Sequence, residues 1–168
     1  MDSDYSPRDY QFPIAYVEGV ESEEYLIPDL KSKKYKLKRD KRLEGLGRII
    51  YEEGISLAFD LTSSKTVRAI AIRVPWKKDK AMYLRSDTPV ILYEVEGVQS
   101  IFYAYEGDDL KRGDVLAYVL TGKGETRTIR VDEDATVFYI SWVPGTHPPK
   151  YIAVLVEEEN LIVLERAD

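Results

Sequence analysis

The stretch VLAYVLTGKGETRTIRV, residues 115–131, decides how the chain is read. One lysine, Lys123, stands between Gly122 and Gly124. On either side runs a segment rich in β-branched and aromatic residues, in which apolar and polar side chains alternate or nearly alternate. Two such runs around a short glycine-bearing loop read as a β-hairpin with Lys123 at its tip. The question this raises is whether the lysine is displayed for chemistry or is a solvated turn residue.

Outward from the hairpin the same signal recurs. QFPIAYVEGV, ISLAFDL, VRAIAIRV, PVILYEV, SIFYAY, TVFYISWV, YIAVLV and NLIVLE are short, apolar and separated by turn residues. LTSSKTV reads as a hairpin loop between Phe59 and Val67. Strands spaced about 8–12 residues apart predict a sandwich or barrel rather than βαβ units. The segment DKRLEGLGRIIYEEG, at 40–54, is open to two readings. Leu43, Leu46, Ile49 and Ile50 fall at helical spacing with Gly54 as a C-terminal cap. Gly45 and Gly47, however, would each cost about 1 kcal/mol inside a helix, and a hairpin turning at Glu52–Gly54 fits as well.

An internal repeat organises the C-terminal part. IFYA at 101–104 matches VFYI at 137–140, and LAYVL at 116–120 matches IAVLV at 152–156, both at an offset of 36 residues. Each copy reads as a strand, a glycine-containing loop and a second strand. Two such copies can enclose a small core by facing each other.

These motifs carry a resemblance. VEGVQSIFYAYEGDDLKRGDVLAYVLTGKGETRTIRVDEDATVFYIS resembles a biotinyl/lipoyl-like domain, the barrel-sandwich hybrid, over roughly residues 95–158. Gly107-Asp108, Gly113-Asp114, the run Val115–Thr121 and Lys123 take the places of the family's two Gly-Asp turns, strand and hairpin lysine. The chain as a whole resembles small archaeal proteins of unassigned function that join such a domain to a β-rich N-terminal half. The resemblance implies a quasi-twofold fold. In carrier members it implies a lysine acylated by lipoic acid or biotin, so Lys123 is the candidate attachment site. The flanks depart from both acceptor patterns: Gly122 and Gly124 replace the methionines of biotin acceptors, Gly122 replaces the acid of lipoyl acceptors, and Asp134-Ala135 stands where Asp-Gly is usual.

Other candidates are weaker in motif. Lys34, Lys36 and Lys38 alternate with Tyr35 and Leu37, which puts the lysines on one face of a strand. They read as the guard of an edge strand, or as a contact for an acidic partner or for RNA with Tyr35 stacking on a base. His147 is the only histidine and has no local acid or nucleophile to complete a triad. Asp108, Asp109 and Asp114 could hold a hard cation, but turn formation accounts for them. Glu157–Asn160 reads as a solvated turn, and Trp76 or Trp142, each beside a proline, is expected to fill a seam between halves.

Composition sets the outer limits. Cysteine is absent, which excludes disulfides and thiolate chemistry. Only Gln11, Gln99 and Asn160 carry side-chain amides, while charged residues make up 32% of the chain, a thermophile-like bias. The net charge of −6 divides into +7 over residues 31–42 and −13 elsewhere. An acidic body with one basic stripe argues against general nucleic-acid affinity. The polar start has no signal-peptide pattern and no apolar run is long enough to span a bilayer, so a cytoplasmic protein is expected.

The expectation is therefore an all-β protein: a polar tail at 1–9, a β-rich domain with at most one helix at 10–94, and a pseudo-twofold barrel-sandwich hybrid at 95–168. With no catalytic constellation in the sequence, it reads as a non-catalytic binding or assembly module, without a cofactor unless Lys123 carries lipoate or biotin. A carrier acylated on Lys123 and a nucleic-acid-binding module using residues 31–42 are the alternatives. A protein partner or a second copy of the chain is the expected contact.

Overall fold

A computed structural model describes residues 12–39 and 45–168. The expected tail at 1–9 and residues 40–44 lie outside the described residues. The first eight strands are β1 (Ile14–Glu18), β2 (Tyr25–Asp29), β3 (Lys34–Lys38), β4 (Leu46–Arg48), β5 (Phe59–Asp60), β6 (Lys65–Thr66), β7 (Ile70–Arg73) and β8 (Lys80–Leu84). The next eight are β9 (Ile91–Glu96), β10 (Gln99–Phe102), β11 (Asp109–Leu110), β12 (Val115–Leu120), β13 (Thr126–Arg130), β14 (Ala135–Val143), β15 (Lys150–Val156) and β16 (Ile162–Arg166). One five-residue helix, α1 (Gly54–Ala58), follows a 3-10 turn at Tyr51–Glu53. The chain is all-β, and no described helix is long and apolar enough to cross a membrane.

Seven strands close into a barrel in the order β1-β4-β2-β3-β16-β8-β7. Its interior is filled by alternating large and small side chains. Tyr16, Tyr35 and Tyr83 pack with Ala71, Ala81, Leu26 and Leu164, a mixture that suits the taper of a small barrel. The remaining layers are a three-stranded sheet, β10-β12-β13, and a four-stranded sheet, β11-β14-β15-β9, which enclose Val95, Leu116, Val119, Val137 and Leu155. In the four-stranded sheet β9 pairs with β15, setting Tyr93 opposite Ala153. In the three-stranded sheet β12 pairs with β13, setting Ala117 opposite Ile129.

The near-unbroken apolar run of β15 has a structural cause. Ala153 and Leu155 point into the sandwich, while Ile152, Val154 and Val156 point to the barrel. There they meet Ala15, Val17, Ile70, Ile72 and Leu84 from the outer face of β1, β7 and β8. A strand buried on both faces has no polar side to show.

The structure departs from the sequence reading in several places. Residues 46–48 form a strand between β1 and β2, and a short helix begins at Gly54, so that neither reading of 40–54 holds as it stood: Gly54 neither ends a helix nor turns a hairpin. ISLAFDL was expected as a strand, yet residues 55–58 are helical and only Phe59–Asp60 is extended, pairing with β6 across the 61–64 loop. The reason is close packing: a Cβ on Gly54 would lie 3.0 Å from the Tyr139 hydroxyl, so the helix start sits tight against the sandwich. The boundary at 94/95 does not follow the sheets. β9 starts at Ile91 and belongs with β15, and β16 leaves the sandwich to pair with β8 and β3 in the barrel. β3 is therefore not an edge strand. It lies between β2 and β16, and its lysines do not guard a free edge.

Candidate functional site

Lys123 lies in the turn between β12 and β13. The Gly124 N–H donates to the Thr121 carbonyl at 3.0 Å, and the Thr121 N–H donates to Glu125 at 2.8 Å. Gly124 has φ +81 at the position where such a three-residue hairpin loop needs a left-handed residue. Lys123 and both flanking glycines are exposed, and Cβ atoms added at Gly122 and Gly124 would meet open space. The lysine is thus presented to solvent from both sides.

The two Gly-Asp motifs form twin turns. The Asp108 N–H donates to the Tyr105 carbonyl at 3.0 Å, and Asp114 repeats this with Lys111 at 2.8 Å. Each aspartate accepts from the first N–H of its own turn, Tyr105 at 2.9 Å and Lys111 at 2.8 Å. Gly107 and Gly113 both have φ +92, the third-position geometry of a type II turn. Asp109 accepts from the Thr136 hydroxyl at 2.6 Å and Asp134 from the Arg112 N–H at 2.9 Å. Among the described residues no cluster of three acidic or histidine side chains is placed to hold a metal. His147 lies exposed in the loop before β15. Glu157 and Glu159 lie side by side in solvent, and Glu159 holds the Glu157 carboxyl above its usual range.

The three lysines of β3 point outward while Tyr35 is 1% exposed inside the barrel. Tyr35 cannot stack on a base without opening the barrel, which corrects that part of the RNA reading. The rest of the basic stripe, at 40–42, lies outside the described residues.

Two features escaped the sequence reading. The first is a polar junction between barrel and sandwich. The Tyr51 hydroxyl donates to the Glu106 carboxylate at 2.7 Å, the Tyr139 hydroxyl donates to the Tyr51 carbonyl, and Trp76 Nε1 donates to the Glu106 carbonyl at 2.8 Å. Burial pushes the Glu106 carboxyl up, and burial together with that carboxylate pushes the Tyr51 hydroxyl up. Trp76 bridges the halves as expected of a seam residue, but from the rim: it and Trp142 are each nearly half exposed.

The second is the outer face of the three-stranded sheet. Ile101 stands opposite Tyr118, Gln99 opposite Leu120, and Tyr118 opposite Thr128. Ile101 is 57% exposed and Tyr103 69%, and the Tyr103 ring meets Tyr118 edge-on with centroids 6.4 Å apart. The signal was present in IFYAY, which carries large apolar residues on both faces of a strand.

Residues 10–158 match the model of a family described as an uncharacterized protein conserved in archaea (DUF2118). The chain belongs to this family. The match covers the strands of the sandwich and every barrel strand except β16, which lies beyond it. It agrees with the overall resemblance to small archaeal proteins. No curated protein matches the chain.

Proposed function

We propose that this archaeal protein is a non-catalytic assembly module of the cytoplasm whose three-stranded sheet packs against a second copy of the chain. The observation that carries this reading is the uncharged centre of that face. Ile101, Tyr103, Tyr118 and Leu120 are exposed together, flanked by Gln99, Thr126 and Thr128, in a chain that is 32% charged. Interface cores are poor in charge and rich in tyrosine, and a face whose centre lacks charge does not repel its own copy across a twofold axis passing through that centre. The opposite sheet supports the reading, because its outer face is already covered by the barrel. Light scattering over a range of concentrations tests it. The wild-type chain should be dimeric and Tyr103→Glu/Tyr118→Glu monomeric with unchanged circular dichroism; a wild-type monomer at every concentration refutes it.

A second reading is a lipoyl- or biotin-type carrier acylated on Lys123, on a duplicated biotinyl/lipoyl-like scaffold. What favours it is the exposed hairpin tip and the pairing of the strands. Shifting residue numbers by 36 turns the β9–β15 pair Tyr93–Ala153 into the β13–β12 pair Ile129–Ala117, and both pairs occur. The equivalence loosens at Phe102 and Phe138. Phe102 packs on Tyr151 at the sandwich, while a bulge at 137–139 turns Phe138 into the barrel seam. Intact mass of protein from its archaeal host separates the readings: an added lipoyl or biotinyl group on Lys123 favours the carrier, and the bare chain mass favours the module.

A further inference from the structure

A groove of about 830 Å³ runs between the barrel and the sandwich, within the usual range for small-molecule sites. Its floor is apolar, with Met82 and Val163 from the barrel and Leu110 and Leu161 from the other side. Its rim carries five lysines, Lys33, Lys77, Lys78, Lys80 and Lys111, against three acids, Asp109, Asp134 and Glu158. Two of those acids are engaged: Asp109 holds Thr136, and Asp134 binds the Arg112 N–H and lies 3.7 Å from Lys111. The lining thus carries two more lysines than acids in a chain whose net charge is −6, with Glu165 opposite Lys80 across β16 and β8.

The backbone places these lysines individually. Lys33 has φ +56 and Asp79 has φ +62, conformations that non-glycine residues seldom adopt. Both turns are pinned by the returning strand: the Glu165 N–H donates to the Lys33 carbonyl at 3.0 Å, and the Arg166 N–H to the Asp79 carbonyl at 2.8 Å. Lys77 lies across Gly107, where an added Cβ would stand 3.1 Å from its Cε. Gly107 therefore leaves room for the lysine stem at the groove mouth.

We propose that this groove binds a small phosphate ester, with its charged head on Lys33, Lys77 and Lys80 and its apolar body on Val163 and Leu161. Ammonium groups on flexible stems suit a phosphate as point charges, and the apolar floor suits a body that free phosphate lacks. The site is separate from the sheet face and from Lys123, and it stands or falls independently of the dimer.

Isothermal titration with ADP, pyrophosphate and adenosine, at about 50 and 200 mM salt, tests it. ADP should bind most tightly and weaken as salt rises. Lys77→Met/Lys80→Met keeps the aliphatic stems and should weaken ADP about tenfold, as should Lys33→Asn, which tolerates a left-handed turn. Lys36→Gln, outside the groove and matched to Lys33→Asn in losing one charge, should leave binding within about twofold. Absence of heat with all three probes overturns the proposal. So does equal weakening by Lys36→Gln, which would mean diffuse attraction rather than a site. Pyrophosphate binding as tightly as ADP would overturn the role given to the apolar floor.

Discussion

The twin turns at Gly107 and Gly113 allow a controlled test of backbone strain. Both glycines have φ +92, both stand third in a four-residue turn, and both donate an N–H to a neighbouring strand, Gly107 to Val137 at 2.7 Å and Gly113 to Val131 at 2.8 Å. Gly107 is buried and Gly113 is exposed. Alanine in such a conformation costs about 1–3 kcal/mol, and restricting the unfolded chain returns about 0.4–1 kcal/mol. At Gly113 nothing else intervenes, since an added Cβ meets no atom within 4 Å. Gly113→Ala should therefore lose about 1–2 kcal/mol net, which for a chain of this size is a fall of roughly 2–8 °C in Tm. At Gly107 the Cβ would come 3.1 and 3.2 Å from the far end of the Lys77 stem, which is free to swing aside. Gly107→Ala should thus cost the same within about 0.5 kcal/mol, in spite of its burial, while displacing Lys77. Urea and thermal unfolding followed by circular dichroism measure both. No loss at Gly113, or a loss at Gly107 more than about 2 kcal/mol larger, would refute the view that φ rather than burial sets the cost.

Leu164, wholly buried in the barrel on its C-terminal strand, should cost about 2–5 kcal/mol when changed to alanine; a loss under about 1 kcal/mol would mean that β16 frays without consequence. Glu106→Gln should gain stability over the wild type as pH rises. Burial raises the native carboxyl above its value in the unfolded chain, so the native state binds the proton more tightly. Wild-type stability is then fullest below the ordinary carboxyl range and falls as pH climbs through the raised value, whereas the amide does not titrate. Urea titrations at several pH values between about 4 and 8 read the difference, and a flat difference would contradict the burial argument.

Much of the β architecture was legible because its strands obey simple patterning. Residues 91–96, 99–102, 115–120 and 150–156 each follow a dense apolar run bounded by glycine, aspartate or proline. Several strands were not seen, β2 and β8 the longest of them. YLIPD at β2 contains Pro28, which argues against a strand, and KAMYL at β8 begins in a lysine-rich loop. The return of β16 to the barrel could not be read locally, because NLIVLE has the same pattern whichever sheet receives it. That long-range pairing also hid the groove: WKKDK reads as a solvated charge run until β16 brings Lys33 and Asp79 to its two sides. The tip position of Lys123 was legible from two glycines and two flanking strands. The exposed sheet face was not, since IFYAY gives no hint of which of its faces the barrel leaves uncovered.

The joining of the two halves bears on how any tip lysine could work. Carrier domains act by moving, and a mobile sandwich would need a weak boundary with the barrel. Here Phe138, Ile152, Val154 and Val156 are buried against Ile70, Ile72 and Leu84. At about 1.5–3 kcal/mol for each large side chain, that seam is worth on the order of 10 kcal/mol, comparable to the whole stability of a domain. The chain also crosses back, with β16 closing the barrel after β15 has finished the sandwich. Separation would therefore expose one core and open the other, so the halves should unfold together. Far-ultraviolet circular dichroism and tryptophan fluorescence, which reads Trp76 at the junction and Trp142 on the sandwich, should give superimposable urea transitions. Two separate transitions would show a seam weak enough for the sandwich to move as a unit. A single one means that a group on Lys123 travels no farther than its own hairpin and side chain allow, so that any partner must come to the tip.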